Sequence, residues 1–150
     1  MKIVIFDIDG TLADIRHRLH HIKDGGRNWD GFFEAAVDDK PIKQMIELLK
    51  SLMDYRVILV SGRPERIRKL TGDWLEKHQM TMGDYDYEDL YMRPDGDHRP
   101  DYVLKKEILG KIREDYPGEE VLFVVDDRPS VVKMWREEGL ICLQCAEWKE

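Results

Sequence analysis

Cysteine is scarce: Cys142 and Cys145 are the two in 150 residues, too few for a disulfide framework and suited to a reducing cytoplasm. Long apolar runs are missing too. No stretch approaches the roughly 20 residues that a bilayer-spanning helix requires, and a charged fraction of 37% argues against a membrane protein. The opening apolar run, Ile3 to Phe6, ends in acids and is too short for a secretory signal. Excess positive charge is also absent. With a formal net charge of −7, the surface as a whole disfavours non-specific nucleic-acid binding, so any polyanion has to be met by a local basic patch or a metal. There is no internal repeat, linker or low-complexity tract. What is present, 42% hydrophobic residues and four tryptophans, is enough for a sizeable core, and the length predicts one domain over 1–150.

Apolar runs and helical periodicity alternate along the chain. Val4, Ile5 and Phe6 read as a buried parallel strand running into Asp7-Ile8-Asp9-Gly10-Thr11. Asn28 or Asp30 is the expected cap of a short helix carrying Trp29, Phe32, Phe33 and Val37. Pro41 is expected in the first turn of the next helix, which buries Ile42, Met45, Ile46, Leu49 and Leu52. Residues 56–60 form the second strand, followed by Ser61-Gly62-Arg63-Pro64 and a helix with Ile67, Leu70, Trp74 and Leu75 on one face. Residues 80–100 are mixed, with a short strand near Leu90-Tyr91-Met92 and a polar loop from Arg93 to Arg99. Pro100 opens a helix to about Glu114, Val121 to Val125 form the third strong strand, and Pro129 starts a helix that Gly139 ends. Leu140 to Leu143 are expected to close the sheet, and Trp135 and the methionines to lie in the core. The alternation predicts a doubly wound, Rossmann-like α/β fold with a mainly parallel sheet and only a minimal cap-like insertion at about 14–40.

Three strands end in polar residues. Right-handed crossovers bring Asp7 and Asp9, then Ser61, then Asp126 and Asp127, to one edge of the sheet. Side chains two apart on extended chain point the same way, so Asp7 and Asp9 face one pocket, and Gly10 lets the backbone turn close to a ligand. Four carboxylates at one edge repel each other unless a hard cation or a proton is shared, and an oxygen-only donor set favours Mg²⁺. In the helix from Asp101, the arc defined by Leu104, Ile108, Leu109 and Ile112 also contains Asp101 and Lys105. An inward lysine is expected to reach the acidic edge, with Asp101 holding it. A carboxylate nucleophile, a neighbouring acid whose surroundings raise its pKa, a cation and an ammonium suit phosphoryl transfer.

Asp7-x-Asp9-Gly10-Thr11, a strand ending in Ser61, the inward Lys105 and the Asp126-Asp127 pair together resemble the four motifs of the haloacid dehalogenase phosphohydrolases. The resemblance implies Asp7 as nucleophile, Asp9 as general acid/base, and Mg²⁺ bound by Asp7, the Asp9 carbonyl, Asp126 and Asp127. A narrower likeness lies in Ser61-Gly62-Arg63, Asp97-x-Arg99-x-Asp101-x-x-x-Lys105, Asp126-Asp127-Arg128 and Val131-Val132-x-Met134-Trp135-Arg136. These look like the 3′-phosphatase domain of bacteriophage polynucleotide kinase-phosphatase. That similarity implies that Arg18, Arg63, Arg93 and Arg128 grip substrate phosphate or brace the acidic site, and that Thr11, Ser61 and Gly62 help to bind phosphate. Residues 15–40 depart from that domain, and no P-loop kinase sequence occurs here, which implies a free-standing phosphatase with a separate kinase or ligase left open as partner.

The expected substrate is a DNA or RNA 3′ end. The basic segment from Arg16 to Arg27 supplies a local positive field, unless it is simply a solvated charged helix. A phosphatase of free nucleotides or other small phosphate esters is the alternative. A non-enzymatic phosphoryl-receiver or binding module fits less well, because a receiver has no use for Asp9. Cys142-x-x-Cys145 sits at a predicted strand end and reads as neither a redox nor a zinc site. His17, His20 and His21 have helical spacing, but the pattern holds no carboxylate partner, so they read as an exposed cluster.

Overall fold

In a computed structural model of the chain, residues 1–83 and 86–147 are described. Five strands, β1 (Ile3–Phe6), β4 (Arg56–Pro64), β5 (Asp89–Arg93), β6 (Val121–Asp126) and β7 (Cys142–Gln144), form one sheet in the order β5-β4-β1-β6-β7, every pairing parallel. Two residues each from β2 (Ala13–Asp14) and β3 (Lys40–Pro41) make a separate antiparallel ribbon. The helices are α1 (Trp29–Glu34), α2 (Lys43–Lys50), α3 (Arg68–Lys77), α4 (Asp101–Asp115) and α5 (Pro129–Glu137). The predicted doubly wound α/β architecture is the observed one.

The period-two geometry of the strands splits the core in two. Val4, Phe6, Val57, Leu59 and Val125 face one side, where Ile46 and Leu49 of α2 and Trp74 and Leu75 of α3 cover them. Ile3, Ile5, Ile58, Val60 and Val124 face the other, against Leu104, Ile108, Leu109 and Ile112 of α4 and Val131, Val132 and Trp135 of α5. Burial on both faces is why each central strand is apolar at successive positions. Polar residues then appear where the strands leave the core, and parallel pairing puts those ends on one edge.

Several local expectations shift. Pro41 does not start a helix: it pairs with Ala13 in the short ribbon, the Ile42 amide donates to the Leu12 carbonyl (2.8 Å), and α2 begins at Lys43. A ribbon edge tolerates the missing proline N–H. Asn28 is the cap of α1, its side chain accepting from the Gly31 amide at 3.0 Å, while Asp30 lies in the first turn. The helix stops at Glu34, so Val37 falls on a following 3₁₀ turn (Ala35–Asp38) and is exposed, as is Trp29. β4 runs on through Ser61 to Pro64, and the closing strand begins only at Cys142 because the Leu140 amide is engaged by the Trp135 carbonyl at the end of α5. Met1, Met53 and Met82 are exposed rather than core. Within the mixed stretch 80–100, residues 84 and 85 lie outside the described residues. The β2–β3 ribbon brackets a 3₁₀ turn (Arg16–His21), α1 and the second 3₁₀ turn, so the segment matching the expected insertion leaves and rejoins the core at adjacent points.

Candidate active site

β1 delivers Asp7, whose amide donates to the Val125 carbonyl (3.0 Å) of the neighbouring strand. The chain then turns tightly, with the amides of Thr11, Leu12 and Ala13 all donating to the Ile8 carbonyl. Gly10 stands at φ +81, and a Cβ there would collide with the Asp127 carboxylate, so both its conformation and its space call for glycine. Thr11 Oγ1 lies 3.4 Å from Asp7 Oδ2 and from Asp127 Oδ1.

Lys105 comes in from the second turn of α4. Its Nζ donates to Asp7 Oδ1 (2.8 Å) and Asp126 Oδ2 (3.0 Å), and all three groups are buried. Asp126 is further fixed by Trp135 Nε1 (3.2 Å) and by the Asp127 amide (2.8 Å). Carboxylate oxygens of Asp7, Asp126 and Asp127 lie within 4.8 Å of one another. Burial, and then the charge of Asp126, raise the Asp7 carboxyl well above its ordinary value, although Lys105 opposes them. Burial and Asp126 push Asp127 up as well. Burial would weaken the Lys105 ammonium, but Asp126 and Asp7 outweigh it and hold the lysine protonated. Three carboxylates around one ammonium leave uncompensated negative charge in a cluster of hard oxygen donors, which is the donor chemistry that Mg²⁺ takes.

A second cluster surrounds Asp9. Arg63 donates to Asp9 Oδ1 through Nε (2.9 Å) and Nη2 (2.6 Å), and Arg18 donates to the same oxygen through Nη2 (3.0 Å). Both guanidiniums also grip Asp39: Arg18 through Nε (2.8 Å) and Nη2 (2.9 Å), Arg63 through Nη2 (3.0 Å). Arg18, Arg63 and Asp39 are buried. Both guanidiniums are spent on two carboxylates, which is the geometry of a brace. Burial alone would raise the Asp9 carboxyl, but Arg63 and Arg18 outweigh it and hold it below its ordinary value, against the expectation that its surroundings raise it. His17 is exposed as expected, but it does have a carboxylate partner, since its Nε2 lies 2.6 Å from Asp39 Oδ1.

A third group lies beside the first two. Asp101 does not hydrogen-bond Lys105 as expected; it accepts from Arg93 Nη2 and from Arg128 Nη1 (3.0 Å), and acts on Lys105 through charge alone. Arg93 Nε donates to the Gly62 carbonyl (2.9 Å), and Ser61 Oγ accepts from the Arg63 amide (3.1 Å). A Cβ on Gly62 would press on Asp101. Arg93 also donates from Nη1 to the Asp97 (3.3 Å) and Arg99 (2.6 Å) carbonyls, and its side chain is 13% exposed against 39% for Arg128, so Arg128 is the more accessible of the two.

Sequence reasoning missed Asp39. It precedes a lysine and a proline in an acidic stretch that looks like ordinary surface, and its partners Arg18 and Arg63 lie 21 and 24 residues away. Trp74, taken only as core, also positions it by donating from Nε1 to the Asp39 carbonyl (2.9 Å).

The family model described as the polynucleotide kinase PNKP phosphatase domain matches residues 1–149. A protein of Autographa californica nuclear polyhedrosis virus, named as a bifunctional polynucleotide kinase/RNA ligase, is 32% identical over 137 residues, 91% of this chain and 18% of its own length. A chain in the structure of the Pnkp1/Rnl/Hen1 RNA repair complex is 34% identical with a TM-score of 0.77, over 99% of this chain and 43% of that one. The chain thus spans less than half the length of these relatives. L-2-haloacid dehalogenase from Xanthobacter autotrophicus, at 15% identity and a TM-score of 0.60 over 96% of this chain and 77% of that one, shares the fold.

Proposed function

Because the chain belongs to the family of polynucleotide kinase PNKP phosphatase domains, and is a phosphatase of the haloacid dehalogenase type, we propose that it removes phosphate from the 3′ end of a DNA or RNA strand. The reaction is Mg²⁺-dependent and passes through an aspartyl-phosphate. The observation that carries this reading is the buried Lys105 ammonium shared between Asp7 and Asp126, beside a third carboxylate, at the edge where the strands end. Such a site has a nucleophile, a fixed cation and a place for a second cation, all aimed at one anion.

Lys105 occupies Asp7 Oδ1, so Oδ2 is the oxygen offered to phosphorus. Attack forms the Asp7 O–P bond and breaks the bond from phosphorus to the substrate's 3′ oxygen. Asp9 protonates that leaving oxygen and then, as a carboxylate, takes a proton from the water that attacks the aspartyl-phosphate and releases inorganic phosphate. Arg63 and Arg18 hold the free Asp9 ionised, and the entering phosphate dianion opposes them, raising its proton affinity only when substrate is present. When bound among the Asp7, Asp126 and Asp127 carboxylates and the Asp9 carbonyl, Mg²⁺ supplies charge neutralisation and polarises the phosphoryl group. Lys105, Thr11, Ser61 and the backbone at Gly62 steady the phosphoryl oxygens, and Arg93 and Arg128 meet the approaching strand.

The short insertion supports a polymer substrate. One six-residue helix and two 3₁₀ turns give little to close over a small molecule, and an open site suits a chain end. The viral relative named as a bifunctional polynucleotide kinase/RNA ligase supports a kinase or ligase acting beside it, and the two free thiols suit a reducing cytoplasm. No helix among the described residues is long and apolar enough to cross a membrane. The test is a substrate panel with and without Mg²⁺. Phosphate release from a 3′-phosphorylated oligonucleotide should exceed release from 3′-mononucleotides and sugar phosphates and should stop in chelator; indifference to chain length would move the substrate to small esters.

A further inference from the structure

Trp29 opens α1 with 50% of its surface exposed, an unusual position for the largest apolar side chain. It is not loose. Phe33 stacks behind it, with ring centroids 5.9 Å apart and planes 28° apart, and Phe32 meets it edge-on at 5.8 Å. Arg66 covers Phe33 in turn, at 5.3 Å from the ring centroid, and ties α1 to the 93–99 loop by donating to Asp30 from Nη2 (3.1 Å) and to Asp95 from its amide (3.0 Å). The indole is therefore held rigidly from one side and bare on the other.

This aromatic group adjoins the acidic site. Phe32 lies under the Arg18 guanidinium, 4.3 Å from its ring centroid, and Arg18 donates to Asp9. The loop leading into α1 carries Lys23 and Arg27, both exposed, with no ion pair or side-chain hydrogen bond among the described residues. The loop that carries them is pinned against α1, because the Asn28 amide donates to the His21 carbonyl (3.1 Å) and the Asn28 side chain meets His21 Nδ1 at 3.1 Å. A rigid aromatic face, two unpaired cations and an adjacent phosphate-handling site are the parts of a single-strand platform, in which a base stacks on the ring and the backbone follows the cations. A pure protein-docking patch has no need of unpaired cations around its one aromatic anchor.

We propose that Trp29 is a stacking platform for an unpaired nucleobase close to the 3′ end, with Lys23 and Arg27 tracking the phosphates that precede it. The proposal rests on the reading of the site as a nucleic-acid phosphatase, and it names a single-stranded end as the form that this phosphatase holds.

The test measures binding and turnover separately. Anisotropy of a dye-labelled single-stranded oligonucleotide, in chelator, gives Kd for the wild type, Trp29→Ala and Trp29→Phe. Trp29→Ala should raise Kd roughly tenfold, the usual size of one base–aromatic stack, and Trp29→Phe should recover most of it. In turnover, Trp29→Ala should lower kcat/KM for the 3′-phosphorylated oligonucleotide at least about tenfold more than for p-nitrophenyl phosphate, which has no base to stack. Wild-type Kd in Trp29→Ala would overturn the proposal and leave the aromatic group as a protein contact. Equal proportional losses on both substrates would overturn it in favour of a purely structural tryptophan. Failure of the wild type to release phosphate from any oligonucleotide would sink the assigned function instead, and the binding measurements would still decide the platform.

Discussion

At the scale of single residues, the site is a balance of buried charges in which each group is defined by its counter-charge. Lys105 is the clearest case. Lys105→Ala leaves Asp7 and Asp126 buried without their shared ammonium, and breaking a buried pair in this way costs about 3–5 kcal/mol. Thermal melts in chelator should show that loss, and Mg²⁺ should restore part of it by replacing the missing positive charge. Asp39 is the mirror image, one carboxylate between two buried guanidiniums. Asp39→Ala should destabilise by a similar amount, about 3–5 kcal/mol, and should also cut turnover because Arg18 and Arg63 then no longer hold Asp9 in place. The cysteines lie at the margin of this balance, Cys145 Sγ donating to Thr11 Oγ1 at 3.5 Å. Burial pushes the Cys145 thiol up to about 11 and the Cys142 thiol up to about 12. Both should therefore react with a thiol reagent at neutral pH at least about a hundredfold more slowly than an ordinary exposed cysteine, and at the ordinary rate once unfolded.

At the scale of elements, the strand ends do the positioning. Gly10→Ala puts a side chain on a left-handed turn and against Asp127 at once. The backbone strain alone is about 1–3 kcal/mol, and the displaced carboxylate should raise the Mg²⁺ concentration needed for half-maximal turnover, which a metal titration of activity measures. These strand ends were also the most legible part of the chain. β1, β4 and β6 are apolar at successive positions because both sheet faces are covered, and the first polar residue after each run (Asp7, Ser61, Asp126) marks the edge. Lys105 was legible for a related reason, since a charged residue on the buried arc of a helix needs a partner. The partner of Asp101 was not, because helical spacing suggested Lys105 while Arg93 and Arg128 reach it from other segments. Likewise, periodicity reported that Trp29 and Phe33 share a helical face but could not report that the face is left uncovered. Pro41 failed as a helix start because the competing ribbon with Ala13 is a long-range pairing that local preference does not see.

At the scale of the whole molecule, a net charge of −7 has to coexist with the polyanionic substrate proposed above. Much of the site's positive charge is internal: Arg18 and Arg63 are buried with Asp9 and Asp39, while Lys105 lies between Asp7 and Asp126. Among the described residues, Arg93 and Arg128 share Asp101, and Lys23 and Arg27 are the exposed cations proposed to meet a strand. Oligonucleotide affinity should therefore fall only gently with salt, with a log–log slope of about −1 to −3 for single-stranded nucleic acid, as an anisotropy titration at several salt concentrations measures. On the proposed mechanism specificity comes from the covalent site rather than from broad electrostatic capture, and one substitution at Asp7 decides whether that site is covalent. Turnover of a 3′-phosphorylated oligonucleotide in Mg²⁺ should drop to background in Asp7→Asn, with the melting transition retained. Activity within about tenfold of wild type in a clean preparation would mean that Asp7 does not attack phosphorus.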